Sequence, residues 1–187
     1  MHERTPASPQ DDKSRWFQQI VLPHLDAAYN LAAWLTRQPA DAEDVVQEAM
    51  LRALRFADGC REATAKSWLL RIVRNVAYDR LTASGGLALF ADLNPDDPDG
   101  SGFTTDAFGG TTEDPESRLL KDQDRRQLDR LIALLPLPYR EVLVLRELEE
   151  LSYKEIAEVA AIPIGTVMSR LARARDWLHK AWSERNG

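Results

Sequence analysis

The sequence predicts an all-α chain, two small helical domains joined by a flexible acidic linker, with a helix-turn-helix in the second domain. Three observations predict it. Apolar residues recur at three- and four-residue steps in two separate blocks. Between the blocks, residues 83–117 show no sustained apolar period and are dense in Gly, Pro, Asp and Thr. Near the C-terminus a capping signal, a short helix, a proline-bearing turn and a longer amphipathic helix follow one another.

Composition sets the outer bounds. The chain has 187 residues, enough for two small domains, and 44% hydrophobic against 29% charged residues, the balance of a chain that buries a core. The net charge of -6 is local in origin. Residues 1–12 hold one basic and three acidic side chains, 13–82 ten and eight, 83–117 none and eight, and 118–187 thirteen and eleven. The acidity therefore belongs to the linker, and both flanking domains, 13–82 and 118–187, are mildly basic. The single Cys60 excludes an internal disulfide framework, and with only His2, His24 and His179 there is no ligand set for a structural zinc. The start, MHERTPASPQDDK, lacks the apolar core of a signal peptide, and no apolar run is long enough to span a bilayer. These features predict a soluble protein of the reducing cytoplasm with a disordered tail over residues 1–12. Inside the linker, PDDPDG resembles part of a calcium loop, but its first ligand position is Pro95 and its twelfth is Asp106, so it reads as a solvated turn.

The first domain reads as three or more helices. RWFQQIVLPHLDAAYNLAAWLTR places Phe17, Ile20, Val21, Leu25, Ala28, Leu31, Ala32 and Leu35 on one face, with a kink or restart at Pro23. Asp41 is placed to cap the next helix, DAEDVVQEAMLRALR, which buries Val45, Ala49 and Leu54 and leaves Glu43, Asp44, Gln47 and Glu48 outside. AKSWLLRIVRNVAYDRL buries Trp68, Leu69, Ile72, Val76 and Leu81 and presents Arg71, Arg74, Asn75, Tyr78 and Arg80. The loop between them, DGCREATAK, carries Arg61 and Lys66.

In the second domain, PESRLLKDQDRRQLDRLIALL carries Leu120, Leu128, Leu131, Ile132 and Leu135 and stops before LPLP. Pro138 suits the first position of PYREVLVLRELEE, with Val142, Leu145 and Leu148 inside. Ser152 and Glu155 form a capping box that starts a short helix at Tyr153, with Ile156, Ala157 and Ala160 inward, and Pro163 ends it near Ala161. In the helix that follows, Val167, Leu171, Ala174 and Leu178 form the packing seam. Thr166, Ser169, Arg170, Arg173 and Asp176 stay outside, flanked by Met168, Ala172 and Arg175. Arginines alone more often form a solvated face. Together with the cap, the small Ala157 and the turn they describe a helix-turn-helix whose second helix enters a DNA major groove. Ala161 stands where such turns often have glycine, at a cost of about 1 kcal/mol if the backbone there is left-handed.

LPLPYREVLVLRELEELSYKEIAEVAAIPIGTVMSRLARAR resembles the promoter -35 binding region of sigma-70-type RNA polymerase factors of the extracytoplasmic-function (ECF) group. DAEDVVQEAMLRALR followed by AKSWLLRIVRNVAYDRL resembles their core-binding and -10-binding region. The resemblance implies a sigma factor that binds core RNA polymerase through its beta and beta-prime subunits, melts the -10 element and recognises the -35 element. It implies core docking through Asp44, Gln47, Glu48 and Leu51, although an ordinary charged amphipathic face explains that helix equally well. Single-stranded -10 DNA would be held by Arg61, Lys66, Arg71, Arg74 and Asn75, with an unpaired base taken by the loop Asp58–Lys66. Double-stranded -35 DNA would meet Thr166, Met168, Ser169, Arg170, Ala172, Arg173 and Arg175. The linker would run through the active-site cleft and RNA exit path, where its acidity suits a basic channel; a plain spacer is the other reading. An anti-sigma factor is implied as a further partner.

Two departures qualify the match. The arginine cluster that many relatives carry after the -10 helix is replaced by LTASGGLALFADLN, and Met168 and Ala172 stand where some relatives have Arg and an aromatic residue. No phosphate loop, nucleophile constellation or metal-ligand spacing suggests an enzyme, a metal, a cofactor, a small-molecule substrate or membrane insertion. The alternative function is a stand-alone helix-turn-helix regulator with an N-terminal ligand or dimerisation domain.

Overall fold

In the computed structural model, residues 9–56, 60–85 and 115–186 are described, without the side chains of 9–12, 115–123 and 185–186. The stretch 86–114 with its PDDPDG turn, residues 1–8 and Asp58 lie outside them. Among the described residues every element is helical.

Prolines set several of the boundaries. Helix α1 (Pro9–Trp16) passes into a π-helical turn, Phe17–Val21, and a 3-10 turn, Leu22–His24, because Pro23 cannot supply a backbone donor. Helix α2 (Leu25–Thr36) restarts after it. Pro39 is the first residue of α3 (Pro39–Arg55), where its missing N–H costs nothing. The cap position is Gln38, with no side-chain cap bond, so Asp41 lies inside the first turn and is not the cap; there its charge complements the helix dipole. A 3-10 turn, Glu62–Thr64, leads into α4 (Ala65–Ala83). Helix α5 (Pro115–Leu134) ends before Pro136, and α6 (Leu137–Glu147) takes Leu137 as its first residue, which leaves Pro138 at the second position. Helices α7 (Tyr153–Ala160) and α8 (Ile164–Asn186) complete the chain.

Helices α2, α3 and α4 pack on one another around Leu31, Leu35, Val45, Leu69 and Val73, all fully buried. Helices α6, α7 and α8 enclose Val142, Leu145, Ile156, Val167 and Leu171, and α5 leans on α8. Leu54 and Leu148, expected inside, are exposed, and Trp68 and Ile72 are only half-buried. Ala42, Val46, Ala53, Leu70 and Val144 are buried in addition.

The two units also pack against each other, α4 on α7 and α2 on α6. Helix α6 is consequently buried almost all round, including the consecutive charges Arg140 and Glu141, both with no exposed surface. Arg140 donates from Nη1 to the Ala133 carbonyl at 2.8 Å. Burial and the nearby Arg37 push its guanidinium down to about 9, which leaves it cationic at neutral pH.

The helix-turn-helix forms as the sequence predicts. The Ser152 side chain accepts from the Glu155 amide at 3.3 Å while Glu155 Oε2 accepts from the Ser152 amide at 2.8 Å. The preceding turn holds Glu150 at φ 56°, and Arg146 braces it by donating to the Leu151 carbonyl at 2.7 Å. Ala161 is left-handed, φ 54°, with the Ile162 amide donating back to the Ala157 carbonyl at 3.1 Å.

Two stability changes follow. Ala161→Gly relieves the left-handed strain and should stabilise the protein by about 1 kcal/mol in denaturant melts. Ser152→Ala should destabilise it by about 1 kcal/mol. The Ser152 bonds hold the Glu155 carboxyl below its ordinary 4.5, so its stabilising share is complete above that pH and is lost as pH falls through the depressed value.

Candidate nucleic-acid interface

Helix α8 divides as its periodicity requires. Val167, Leu171 and Ala174 are fully buried, while Met168, Ser169, Ala172, Arg173 and Arg175 are exposed and Thr166 and Arg170 are half-buried. Ser169 Oγ donates to the Thr166 carbonyl at 3.1 Å, which keeps its side chain along the first turn. Arg173 Nη1 lies 3.4 Å from the Tyr139 hydroxyl, a weak contact, and Arg175 Nη2 meets Glu147 Oε1 at 2.6 Å. The Arg175 pair is half-exposed on both sides. Such pairs are worth about 0–1 kcal/mol and exchange readily for another anion. Arg170 is half-buried, and its charge helps to pull the Glu141 carboxyl down.

Helix α4 departs from the sequence reading. Arg71 and Asn75 are exposed, as is Arg61 in the preceding turn. Lys66, expected in the loop, lies in the first turn of α4, and it and Arg74, expected on the outward polar face, meet the second unit. Arg74 Nε donates to Glu141 Oε1 at 2.9 Å, its guanidinium stacks 4.0 Å from the Tyr78 ring centroid, and Tyr78 donates to Glu141 Oε2 at 3.0 Å. Lys66 Nζ donates to the Glu149 carbonyl at 2.7 Å and pairs with its Oε2 at 3.0 Å. Burial pushes the Glu141 carboxyl up, and Arg74, Tyr78 and Arg170 pull against it. Near the turn, Arg61, Thr64, Ser67, Trp68, Arg71 and Glu158 line a cavity of about 260 Å³. Trp68 is therefore part wall and part core, its ring set edge-on to Trp16 at 6.5 Å.

On α3, Asp44, Gln47 and Leu51 are exposed and Glu48 is half-buried. Asp44 pairs with Arg80 at 3.0 Å and Glu48 with Arg52 at 2.8 Å. Beside them Leu22, Leu25, Tyr29, Val46, Gln47 and Met50 contribute to a largely apolar groove of about 670 Å³.

Two family profiles match the chain, one in each helical unit. The profile Sigma-70 region 2 matches residues 20–85, and Sigma-70, region 4 matches residues 125–178. The RNA polymerase sigma-H factor of Pseudomonas aeruginosa is 35% identical over 168 residues, 89% of this chain and 86% of that protein. The chain belongs to the sigma-70 family, in its ECF group. The ECF RNA polymerase sigma-E factor of Escherichia coli K12 is 38% identical over 137 residues, 73% of this chain and 71% of that protein. Among solved structures, the sigma factor RpoE of Bartonella quintana, in complex with the anti-sigma factor NepR, superimposes with a TM-score of 0.67. It is 24% identical and covers 89% of this chain and 96% of its own. CnrH, in complex with the cytosolic domain of CnrY, gives 0.60 at 23% identity, covering 91% of this chain and 90% of its own. This sigma factor therefore acts in transcription initiation, which sets aside the stand-alone regulator. Among the described residues no helix is long and apolar enough to cross a membrane.

Sequence reasoning missed Glu141, Glu149 and Glu158, the three acids of the second unit that face the cations of the first. The one local sign was Glu141 itself, a charge one turn from Leu137 and from Val144 and Leu145 on the same face of α6.

The Tyr78 phenol is raised above its ordinary 10.0 by burial and by Glu141. A group so raised stabilises the fold below pH 10 and ceases to do so as pH rises through its folded value. Spectrophotometric titration should show one of the four tyrosines ionising late, and Tyr78→Phe should abolish that late step.

Proposed function

We propose that this sigma factor holds core RNA polymerase with α3, supports melted -10 DNA with α4 and the turn before it, and reads -35 duplex with α8. Residues 13–82 form the region 2-like domain and 118–187 the region 4-like domain, with the acidic linker lying in the polymerase cleft. The observation that carries the reading is the outward strip Met168, Ser169, Ala172 and Arg173 on α8, backed by fully buried Val167, Leu171 and Ala174. An exposed strip on a rigid, capped second helix is what major-groove readout requires. Arginine supplies paired donors to guanine or phosphate, and Met168 and Ala172 offer apolar contact to thymine methyls.

The exposed Leu51 beside exposed Gln47 and the exchangeable carboxylates of Asp44 and Glu48 support docking on a polymerase surface. Arg61, Arg71 and Asn75 on one face, with Lys66 and Arg74 once freed, form a basic track for a single strand. Trp68 in the cavity wall supplies the aromatic surface that the loop sequence lacks. The domains would act in the cytoplasm, where core polymerase is found. That both solved neighbours are complexes, with NepR and with the cytosolic domain of CnrY, supports an anti-sigma partner here.

Transcription in vitro with core RNA polymerase tests the reading. Arg173→Ala should lower -35-dependent initiation by about 10- to 100-fold, the equivalent of 1–3 kcal/mol, while core binding is retained. Leu51→Asp should weaken core binding about tenfold and leave duplex binding by the isolated factor unchanged. Failure of the wild-type protein to bind core or to initiate from any promoter would overturn the assignment.

A further inference from the structure

Two of the five residues assigned to single-stranded DNA, Lys66 and Arg74, pair with an acid from the other domain. Glu141 has no exposed surface and takes both the Arg74 guanidinium, at 2.9 Å, and the Tyr78 hydroxyl, at 3.0 Å. Glu149, also buried, takes Lys66 through its carboxylate at 3.0 Å and its backbone carbonyl at 2.7 Å, and accepts from Asn30 Nδ2 at 3.4 Å. Glu158 shares the small cavity with Arg61 and Arg71. In both pairs an anionic oxygen from α6 or the turn after it satisfies a cation that the -10 assignment gives to a strand.

We propose that Glu141 and Glu149 form an ionic latch that imitates nucleic acid, closing the free sigma factor so that its own second domain competes with single-stranded DNA for α4. The inference rests on the assignment of Lys66 and Arg74 to the -10 track.

The chemistry suits a reversible latch. A buried ion pair contributes little net stability, because the attraction is spent on desolvation, yet it is specific to the geometry that satisfies it. Once the domains part, the carboxylates and cations recover their hydration, or the cations accept DNA. A latch of apolar residues would offer a polyanion nothing to exchange for. Closure and strand binding exclude each other, so whatever weakens closure raises the apparent affinity for the strand, up to the inverse of the open fraction. The -35 strip of α8 is outside this interface and stays exposed when the latch is closed.

The full chain without polymerase provides the test, with a fluorescein-labelled single-stranded DNA oligonucleotide as probe and small-angle X-ray scattering as the measure of closure. A closed fraction of about 90% lowers apparent affinity about tenfold. Glu141→Gln combined with Glu149→Gln should therefore bind the oligonucleotide about tenfold tighter and show a larger radius of gyration, with helical content unchanged by circular dichroism. An expanded chain with unchanged affinity, or no change in either measure, would overturn the latch. Lys66→Glu gives an independent check: alone it should expand the chain, and combined with Glu149→Lys it should restore the compact radius, whereas no recompaction would count against the pairing. Holoenzyme assays separate the two ideas. If Arg74→Ala impairs promoter opening but the glutamate variants leave free binding unaltered, the latch alone fails. If Arg74→Ala leaves opening intact, the -10 assignment fails and the mimicry with it.

Discussion

The Glu141 carboxylate is the point on which both halves of the molecule converge. It belongs to α6, in a run where Leu137, Val142, Leu143, Val144 and Leu145 are all buried, so the helix has no polar side to turn outward. Moving a lone carboxylate into such surroundings is prohibitive, and the group must bring its partners with it. They come from the other domain, Arg74 and Tyr78, four residues and one helical turn apart on α4. The docking of α6 against the N-terminal bundle is thus fixed by polar chemistry, and the apolar packing of α2 on α6 and α4 on α7 adapts to it.

Magnitudes separate this pair from the other ion pairs of the chain. Asp44 with Arg80, Glu48 with Arg52 and Arg175 with Glu147 are all exposed to solvent to a third or more. Each contributes at most about 1 kcal/mol and can be given up to a protein or nucleic-acid partner at little loss. Removing one member of a buried pair costs about 3–5 kcal/mol, because the other is left charged and dry. Surfaces on α3 and α8 can therefore be taken by a partner without rearrangement, while α4 becomes available only if both members of its buried pairs leave together.

Much of this was legible in the sequence, and the limits are physical. The capping box at Ser152 and Glu155, the stop before Pro163, and the alternation of Val167, Leu171 and Ala174 with Ser169 and Arg173 are local signals that appear where the local rules place them, whereas Arg170, expected outside, is half-buried. Even the strain at Ala161 could be anticipated, since the turn requires a left-handed residue whatever its identity. What could not be read is which faces pair across 60 or more residues. Arg74 has the spacing of an outward polar stripe and Lys66 reads as a loop cation, and neither signal can tell solvent from complementary acids on another domain. Leu54 and Leu148 fail in the opposite sense: they complete a helical repeat near a helix end, where the chain runs beyond the reach of the neighbouring helix and the repeat no longer describes burial. Asp41 was a plausible cap by residue type, but Pro39 fixes the start of α3 two residues earlier.

The division of labour between α4 and α8 has a consequence for the order of events at a promoter. Helix α8 keeps its reading face outward because its inward seam is satisfied wholly within its own domain, by α5, α6 and α7. Helix α4 is supported from both sides, its apolar face by α2 and α3 and its basic face by α7 and Glu141. On the proposed assignments, duplex recognition thus requires no domain separation, and single-strand recognition does. Within the proposed latch, a polymerase that seats α3 and holds the second domain at the -35 element draws the two domains apart by that same act, and frees the cations of α4 at the site where the strand is to be melted. Coupling of this kind needs no moving part within either domain. It requires only that the two partners of α4, the acids of the second domain and the melted strand, be mutually exclusive occupants of one set of charges.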